Sequence, residues 1–442
     1  MAEKTFNITL LGAGTVGGGV ATLLTRDRKL LRDRTGIDFR LLHVADLDAQ
    51  RVRDLGLGNL PHTTDAIAAI DDPKTDLVVE LIGGTGIAAK FVEHSLSCGK
   101  PVVTANKALL ASRGPELFNL ARKNNTCVAF EASCAGGIPV INAIIHGLVA
   151  NRIEALIGIV NGTCNFILTQ MTRHGLSYSQ ALAEAQKAGY AEADPTLDVS
   201  GRDAAQKLSL LASLAFNTRV AESDIQVQGI NSLEEADLKF AGDLGYVIKL
   251  LAIAQREPKD RISLRVHPTL VHKDDLLAQV SGSFNAVSIY GHALGHALFY
   301  GRGAGRMPTA SAVVSDIVQV GMGLTAAAFK QFNLLPAAAG AVKKLPAAEL
   351  QSRYYLRLTA QDAPGVLAQV TKILGSHKIS LSAVLQRESN HSQFVPVVIT
   401  THQAREGDLQ KALDKINRLK SLRPPAVCLR IIDQPKEFAG GV

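Results

Sequence analysis

Residues Phe6-Asn7-Ile8-Thr9-Leu10-Leu11-Gly12-Ala13-Gly14-Thr15-Val16-Gly17 form an apolar run that ends on three spaced glycines. The run 6–11 predicts a buried strand, and the residues past the glycines predict a helix reaching about residue 31. In such a loop Gly12 permits the tight turn, Gly14 lets backbone approach a pyrophosphate, and Gly17 lets the helix pack on the sheet. The helix start presents free N–H groups and the positive end of its dipole. In this strand–loop–helix setting the loop, with Thr15 and Val16, is a candidate dinucleotide cradle.

The pattern repeats downstream. A second strand at 39–45 runs to Asp46, a third at 76–82 into Gly83-Gly84-Thr85, and two more are expected at 101–104 and 126–130. Helical stretches separate them, which predicts an α/β doubly wound parallel sheet. Its ligand crevice lies at the carboxyl ends of the strands, where Gly83, Thr104 and Lys107 fall. Asp46 is placed to accept a hydrogen bond from a ribose 2′-OH, favouring NAD, while Asp48 and Arg51 beside it leave NADP open.

After about residue 140 the order changes. Helices expected at 179–188, 201–216 and 237–255 mix with strands at 155–160 and 261–271, an α+β unit. A helix is expected at 308–329, and the Pro/Ala-rich stretch 334–350 reads as a linker. The last module parses as strand 354–360, turn Asp362-Ala363-Pro364-Gly365, helix 366–376, strands 379–388 and 394–401, helix 406–419 and strand 426–432. That is a ferredoxin-like βαββαβ order.

The 442 residues are 47% apolar and 20% charged, ordinary for a globular chain of several domains. Net charge is +7, and residues 351–442 hold most of it, with 13 Lys/Arg against 7 Asp/Glu versus 34 against 33 in the rest. No basic run, 5% aromatics and no Trp argue against a nucleic-acid partner. Five cysteines without CxxC spacing argue against disulfides or zinc and fit a reducing cytosol. Uncharged runs near 132–151 and 155–171 are interrupted by Gly, Pro, Asn or His, so no membrane span is expected and the location is read as cytoplasmic.

The chemistry concentrates in residues 189–208. On a helix, Arg202, Gln206, Ser209 and Ser213 make one polar stripe, while Asp203 and Lys207 share the face of Leu210, Leu211 and Leu214. Burial lowers a lysine pKa toward a catalytic range, and an aspartate one turn away opposes that shift and fixes the amine. The same pair also reads as a plain i,i+4 ion pair. Upstream, Glu192 and Asp194 are carboxylates suited to a substrate ammonium. In Glu131-Ala132-Ser133-Cys134-Ala135-Gly136-Gly137-Ile138-Pro139, backbone carbonyls with Glu131 could cage a hard cation, Cys134 could serve as a nucleophile, or the segment is a strand-to-helix turn. His292 and His296 mimic a metal pair without a third ligand. The loop 301–309 is a second glycine turn that opens a helix and can close over a cofactor.

Taken in order, GAGTVG, TANKALLA (104–111), FEASCAGGIP (130–139), NGTCNFIL (161–168), GYAEADPTLDVSGRDAAQKL (189–208) and GRGAGRMPTASAVVSD (301–316) resemble the homoserine dehydrogenase family. The resemblance implies a Rossmann-like unit at 1–138, a substrate-binding and dimerisation unit at 139–307, a helix returning to the first unit at 308–333, a linker at 334–350 and an ACT domain at 351–435. It implies NAD- or NADP-dependent interconversion of L-homoserine and L-aspartate 4-semialdehyde on the route to threonine, methionine and isoleucine. Lys207 resembles the acid/base lysine, with Asp203 its neighbour, and Lys107 the lysine at the nicotinamide–substrate junction. Glu192 matches a substrate-binding carboxylate, Gly303 a cofactor contact, and Glu131, Cys134, Gly136 and Ile138 a sodium site; Asp198 is expected to help Glu192 orient the amino-acid head group. Asp362, Pro364 and Gly365 match the effector loop of ACT domains, which implies threonine feedback and a homodimer or homotetramer without a fused kinase. Two positions depart from the family: Asp46 stands where a basic residue favours NADP, and NGTTN reads NGTCN, bringing Cys164 to the site. The rival readings are a phosphate-dependent semialdehyde dehydrogenase using Cys134 and a non-enzymatic amino-acid sensor.

Overall fold

The computed structural model describes residues 4–55, 61–336, 340, 342–386, 393–433 and 435. Parts of the expected linker (337–339, 341) and the end of the strand expected at 379–388 (387–388) lie outside the described residues.

Six strands, β1 (Lys4–Leu11), β2 (Ile37–Ala45), β3 (His62–Thr63), β4 (Leu77–Glu80), β5 (Val102–Thr104) and β6 (Val128–Ala129), form one parallel sheet in the order β3-β2-β1-β4-β5-β6. The connections wind outward in both directions from β1, so a crevice opens at the carboxyl ends of β1 and β4. β1 is buried on both faces: Ile8 and Leu10 join the main core, while Thr9 satisfies its hydroxyl on Thr75 Oγ1 at 2.8 Å. Gly12 turns the chain with φ +93°, and a Cβ on Gly17 would lie 1.9 Å from the Gly12 carbonyl oxygen. The third glycine is therefore a packing requirement. The helix Arg306–Gly321 returns to pack on Thr15–Arg26, so closely that a Cβ on Gly19 would meet Ala310 Cβ at 2.9 Å. The single helix expected at 308–329 is instead two, Arg306–Gly321 and Leu324–Gln331, bent by 80°. Gly323, with φ +80°, sits at the break. No single helix among the described residues is long and apolar enough to cross a membrane.

The remaining strands are β7 (Ile153–Ile159), β8 (Gln226–Val227), β9 (Tyr246–Glu257), β10 (Arg261–His272), β11 (Phe284–Gly291), β12 (Gly295–Arg302), β13 (Lys343–Lys344), β14 (Gln351–Gln361), β15 (Leu381–Gln386), β16 (Phe394–Thr401), β17 (Ala404–Arg405) and β18 (Leu422–Ile431). They build a single sheet whose main path is β12-β11-β7-β9-β10-β18-β14-β16-β15. The helix expected at 237–255 ends at Asp243. Gly245 (φ +84°) turns the chain, and β9 then pairs antiparallel with β10 along its whole length. Residues 246–254 are a continuous apolar run broken only by Lys249, which periodicity alone cannot assign between a buried strand and a buried helix. The segment carrying His292 and His296 is a hairpin of β11 and β12. His292 Nδ1 accepts from Arg152 N, and His296 bonds Ser288, so neither needs a metal.

The last module shows the expected order, with β14 between β16 and β18 and β15 at the outer edge. The unexpected feature is its attachment: β18 also pairs in parallel with β10, through Thr269↔Arg430 and Leu270↔Ile431. Beside this seam Arg357 Nε meets Asp237 Oδ1 at 2.6 Å, with Asp237 fully buried and Arg357 8% exposed. Tyr355 donates its hydroxyl to the same carboxylate.

Candidate active site

The site is assembled from strand ends. β5 ends at Thr104, and Asn106 caps the helix Lys107–Lys123 by accepting from Leu109 N. This puts Lys107 in the first helical turn, with its amine within reach of Asp203. β7 leads to Val160 and Asn161, and Asn161 caps the helix Gly162–His174 by accepting from Cys164 N. Asp203 and Lys207 lie one turn apart on the helix Arg202–Phe216, on the face the sequence pattern assigned to the interior.

These elements converge on one carboxylate. Asp203 Oδ2 lies 2.7 Å from Lys207 Nζ and accepts from Asn161 Nδ2 at 2.7 Å, while Oδ1 lies 3.3 Å from Lys107 Nζ. Lys207 Nζ also donates to the Val160 carbonyl at 2.8 Å. The other amide proton of Asn161 goes to Asp198 Oδ1 at 2.7 Å. Lys107, Asn161, Asp198, Asp203 and Lys207 are thus one hydrogen-bonded cluster between the nucleotide crevice and the second sheet. Burial pushes toward neutral forms of both partners, but the opposed charges and their hydrogen bond win. Lys207 is raised above its ordinary value and Asp203, with Lys107 assisting, is lowered. The aspartate's opposition to the burial shift prevails, and in this state the amine is held as an ammonium. Asp198 shifts upward, through burial and then the nearby Asp203 charge.

The glycine loop fits a pyrophosphate. The helix Thr15–Arg26 has no side-chain cap at Gly14, and the space where a Gly14 Cβ would stand is open. Asp46 sits beside it, accepting from Ala13 N at 2.6 Å and Asp48 N at 2.9 Å, with Arg51 Nη1 at 3.8 Å. Glu80, which sequence reasoning missed, is fully buried at the end of β4; it accepts from Ile82 N and Gly83 N and from the Thr104 hydroxyl, shaping the Gly83 turn. Gly303 is buried against Asn285, whose amide would lie 1.9 Å from an added Cβ.

Other expected residues are placed differently. Glu192 is on an exposed turn, and its carboxylate makes no hydrogen bond among the described residues. Both oxygens of buried Glu131 are engaged, Oε1 by Ile141 N and Oε2 by Asn142, so the carboxylate caps the turn Val140–Asn142. Among the described residues no Lys, Arg or His pairs with Glu131 or with buried Asp316, and burial raises both carboxyls. With no cationic side chain among the described residues paired to it, the Glu131 carboxylate and the backbone carbonyls of its turn are oxygen donors of the kind a hard cation takes. Cys134 is fully buried, and burial pushes its thiol up to about 12, which removes the thiolate that the rival aldehyde chemistry needs. Cys164 is also inert, its Sγ on the Asp198 carbonyl at 3.2 Å and its pKa raised well above normal by burial. The polar stripe on Gln206, Ser209 and Ser213 lines a cavity of about 370 Å³ against the helix Lys107–Lys123. In the last module Asp362, Pro364 and Gly365 line a cavity of about 400 Å³, where Gln386 Nε2 donates to Asp362 Oδ1.

Asn106 and Asn161 had a legible signal, since an Asn directly before a predicted helix is an N-cap pattern. Glu80 had none beyond ending a strand.

Comparison with known proteins agrees with this architecture. Residues 12–131 match the sequence model of the homoserine dehydrogenase NAD binding domain, residues 139–318 that of homoserine dehydrogenase, and residues 354–421 the ACT domain. Homoserine dehydrogenase of Neisseria gonorrhoeae is 42% identical over 431 residues, covering 97% of this chain and 99% of the relative. The crystal structure of the Thiobacillus denitrificans enzyme superposes with a TM-score of 0.92 at 42% identity, over 97% of this chain and 99% of that one. A hyperthermophilic archaeal homoserine dehydrogenase in complex with NADPH gives a TM-score of 0.62 at 25% identity, over 72% of this chain and 98% of its own. The chain belongs to the homoserine dehydrogenase family, NAD(P)-dependent oxidoreductases of amino-acid biosynthesis.

Proposed function

We propose that Lys207 is the proton-transferring group of the homoserine dehydrogenase reaction, held in place by Asp203. The observation that carries this is the single carboxylate shared by Lys207, Lys107 and Asn161 at the junction of the two sheets. When bound, the nicotinamide supplies the hydride acceptor in one direction and the hydride donor in the other. In aldehyde reduction the Lys207 ammonium gives its proton to the carbonyl oxygen as that oxygen becomes the homoserine hydroxyl. In alcohol oxidation the neutral amine takes the hydroxyl proton back. Lys107, arriving from the nucleotide-binding sheet, supplies a second positive charge beside the developing oxyanion. Asp198 and Glu192 would hold the substrate ammonium. For Glu192 this requires its loop to approach the cluster.

The experiment is the pH profile of Asp203→Asn. The substitution keeps the size of the side chain and removes the charge that holds the lysine protonated, so the amine pKa falls. Oxidation, which needs the free amine, then extends to lower pH. Reduction, which needs the ammonium, begins to fail at lower pH than in the parent chain. Turnover at the optimum drops on the order of 10–100-fold through lost positioning. Unmoved limbs in both directions would sink the assignment.

Both nicotinamide cofactors are retained in this reading. Asp46 would carry the discrimination, because a carboxylate at the end of β2 would repel a 2′-phosphate. Asp46→Ser should raise the NADP-to-NAD ratio of kcat/KM about tenfold, equivalent to ~1.4 kcal/mol, as measured by steady-state rates with each cofactor. The cofactor contacts assigned are Gly12, Gly14, Thr15, Val16, Gly17, Gly83, Thr104, Lys107 and Gly303. A sodium ion would be held by Glu131 with the backbone of Cys134, Gly136 and Ile138, fixing the turn between the two sheets. Threonine is the effector assigned to the Asp362–Gly365 loop, and a homodimer or homotetramer joined through the ACT sheets is supported by the open edge at β15. The unit boundaries at 138, 307, 333, 350 and 435 and a cytosolic location are part of the same proposal, the latter supported by five unpaired cysteines.

A further inference from the structure

Between the catalytic sheet and the ACT module lies a cavity of about 300 Å³, walled by the end of β9 and the start of β10 on one side and the start of β14 and Gln403 on the other. Arg265 lines it. This residue is only 8% exposed, yet among the described residues its guanidinium makes one hydrogen bond, from Nη1 to Ser263 Oγ at 2.6 Å. A guanidinium has five N–H donors, so one bond to a hydroxyl leaves most of this group available to an occupant of the cavity. Glu257, on the same wall, accepts only from Ser263 Oγ, at 2.8 Å, and forms no ion pair with Arg265 among the described residues. The other charges around the cavity are matched: Arg261 pairs with Glu349 at 2.6 Å, and Asp433 with Arg353 at 3.3 Å. Arg265 and Glu257 attract each other without a direct ion pair, bridged by the Ser263 hydroxyl. The amides of Gln255 and Gln403 and the Ser352 hydroxyl complete a polar lining.

We propose that this junction cavity binds a free α-amino acid as its zwitterion, the carboxylate on Arg265 and the ammonium on Glu257. A simple anion would leave Glu257 facing it, and an amine would face Arg265. A zwitterion satisfies both, and the volume suits a small one. The site is separate from the Asp362–Gly365 cavity and shares no lining residue with it. Its walls come from both units, so an occupant ties the ACT module to the catalytic sheet.

The test is titration calorimetry of the full chain with glycine, L-alanine, L-serine and L-threonine in turn, on the parent and on Arg265→Met, Glu257→Gln and Asp362→Ala. At least one amino acid should bind the parent, lose tenfold or more in affinity in both Arg265→Met and Glu257→Gln, and keep its affinity in Asp362→Ala. The corresponding hydroxy acid and primary amine should each bind at least tenfold more weakly. Glu257→Gln, at a half-exposed position, carries the same expectation if Arg265→Met fails to fold. No binding by any of the four overturns the proposal. So does binding lost only in Asp362→Ala, binding indifferent to Glu257→Gln, or equal binding of the hydroxy acid.

Discussion

Lys207→Ala should lower turnover by about 10²–10⁴-fold in both directions, the range for losing a positioned acid/base. Cofactor affinity should be unchanged, since Lys207 donates to Asp203 and the Val160 carbonyl and makes no contact with the glycine loop. Stopped-flow single turnovers with cofactor binding followed by fluorescence separate the two quantities. Removing the amine leaves Asp203 buried with Lys107 and Asn161, so the pocket keeps most of its wiring. Lys207→Arg sharpens the result. It restores the positive charge beside Asp203, but a guanidinium does not give up its proton in the working range. Oxidation should therefore stay impaired in Lys207→Arg even where the fold is recovered. Near-parental turnover in Lys207→Ala would transfer the proton to another group, with Lys107 the first to test.

Arg357→Met should destabilise the chain by about 3–5 kcal/mol, the effect of stranding one partner of a buried ion pair. The stranded group is Asp237, fully buried on the helix Glu235–Asp243 and held by Arg357 through two hydrogen bonds of 2.6 and 3.1 Å. Tyr355 remains as its only other side-chain donor among the described residues, and one hydroxyl does not balance a charge. The guanidinium lies high above its ordinary pKa because Asp237 and Glu234 outweigh the penalty of burial. The double variant Asp237→Asn/Arg357→Met should recover much of the loss, because it removes both charges together. Guanidinium-induced unfolding of the three chains gives the comparison. A loss under about 1 kcal/mol, the usual worth of an exposed pair, would mean that water reaches Asp237 once Arg357 is gone.

Most of the nucleotide-binding half could be read from residues 6–17 and the strand ends after them, because short apolar runs there break at turn or cap residues such as Gly12, Asp46 and Asn106. The ferredoxin-like order of the last module was legible for the same reason. The stretch 237–255 was not. Its apolar residues fit either period, and only Gly245 hinted at the turn that frees β9 to pair with β10. In the site, helix periodicity put Asp203 and Lys207 on the buried face correctly. It could not show that Lys107, a hundred residues earlier, reaches the same carboxylate, nor which way the balance of burial and charge would move the amine. Glu131 was legible as a carboxylate in a turn at a strand end, but its burial and its role as a cap for Val140–Asn142 depend on packing and backbone N–H directions that no spacing encodes.

β18 serves two masters: it completes the βαββαβ unit on β14 and is stitched to β10 by only two residue pairs. It is also translated after every other strand of either sheet. On the ribosome, a nascent chain that has not yet extruded residue 422 holds β10 with that stretch of its hydrogen-bonding edge bare, an invitation to foreign strands. Emergence of β18 is what covers it.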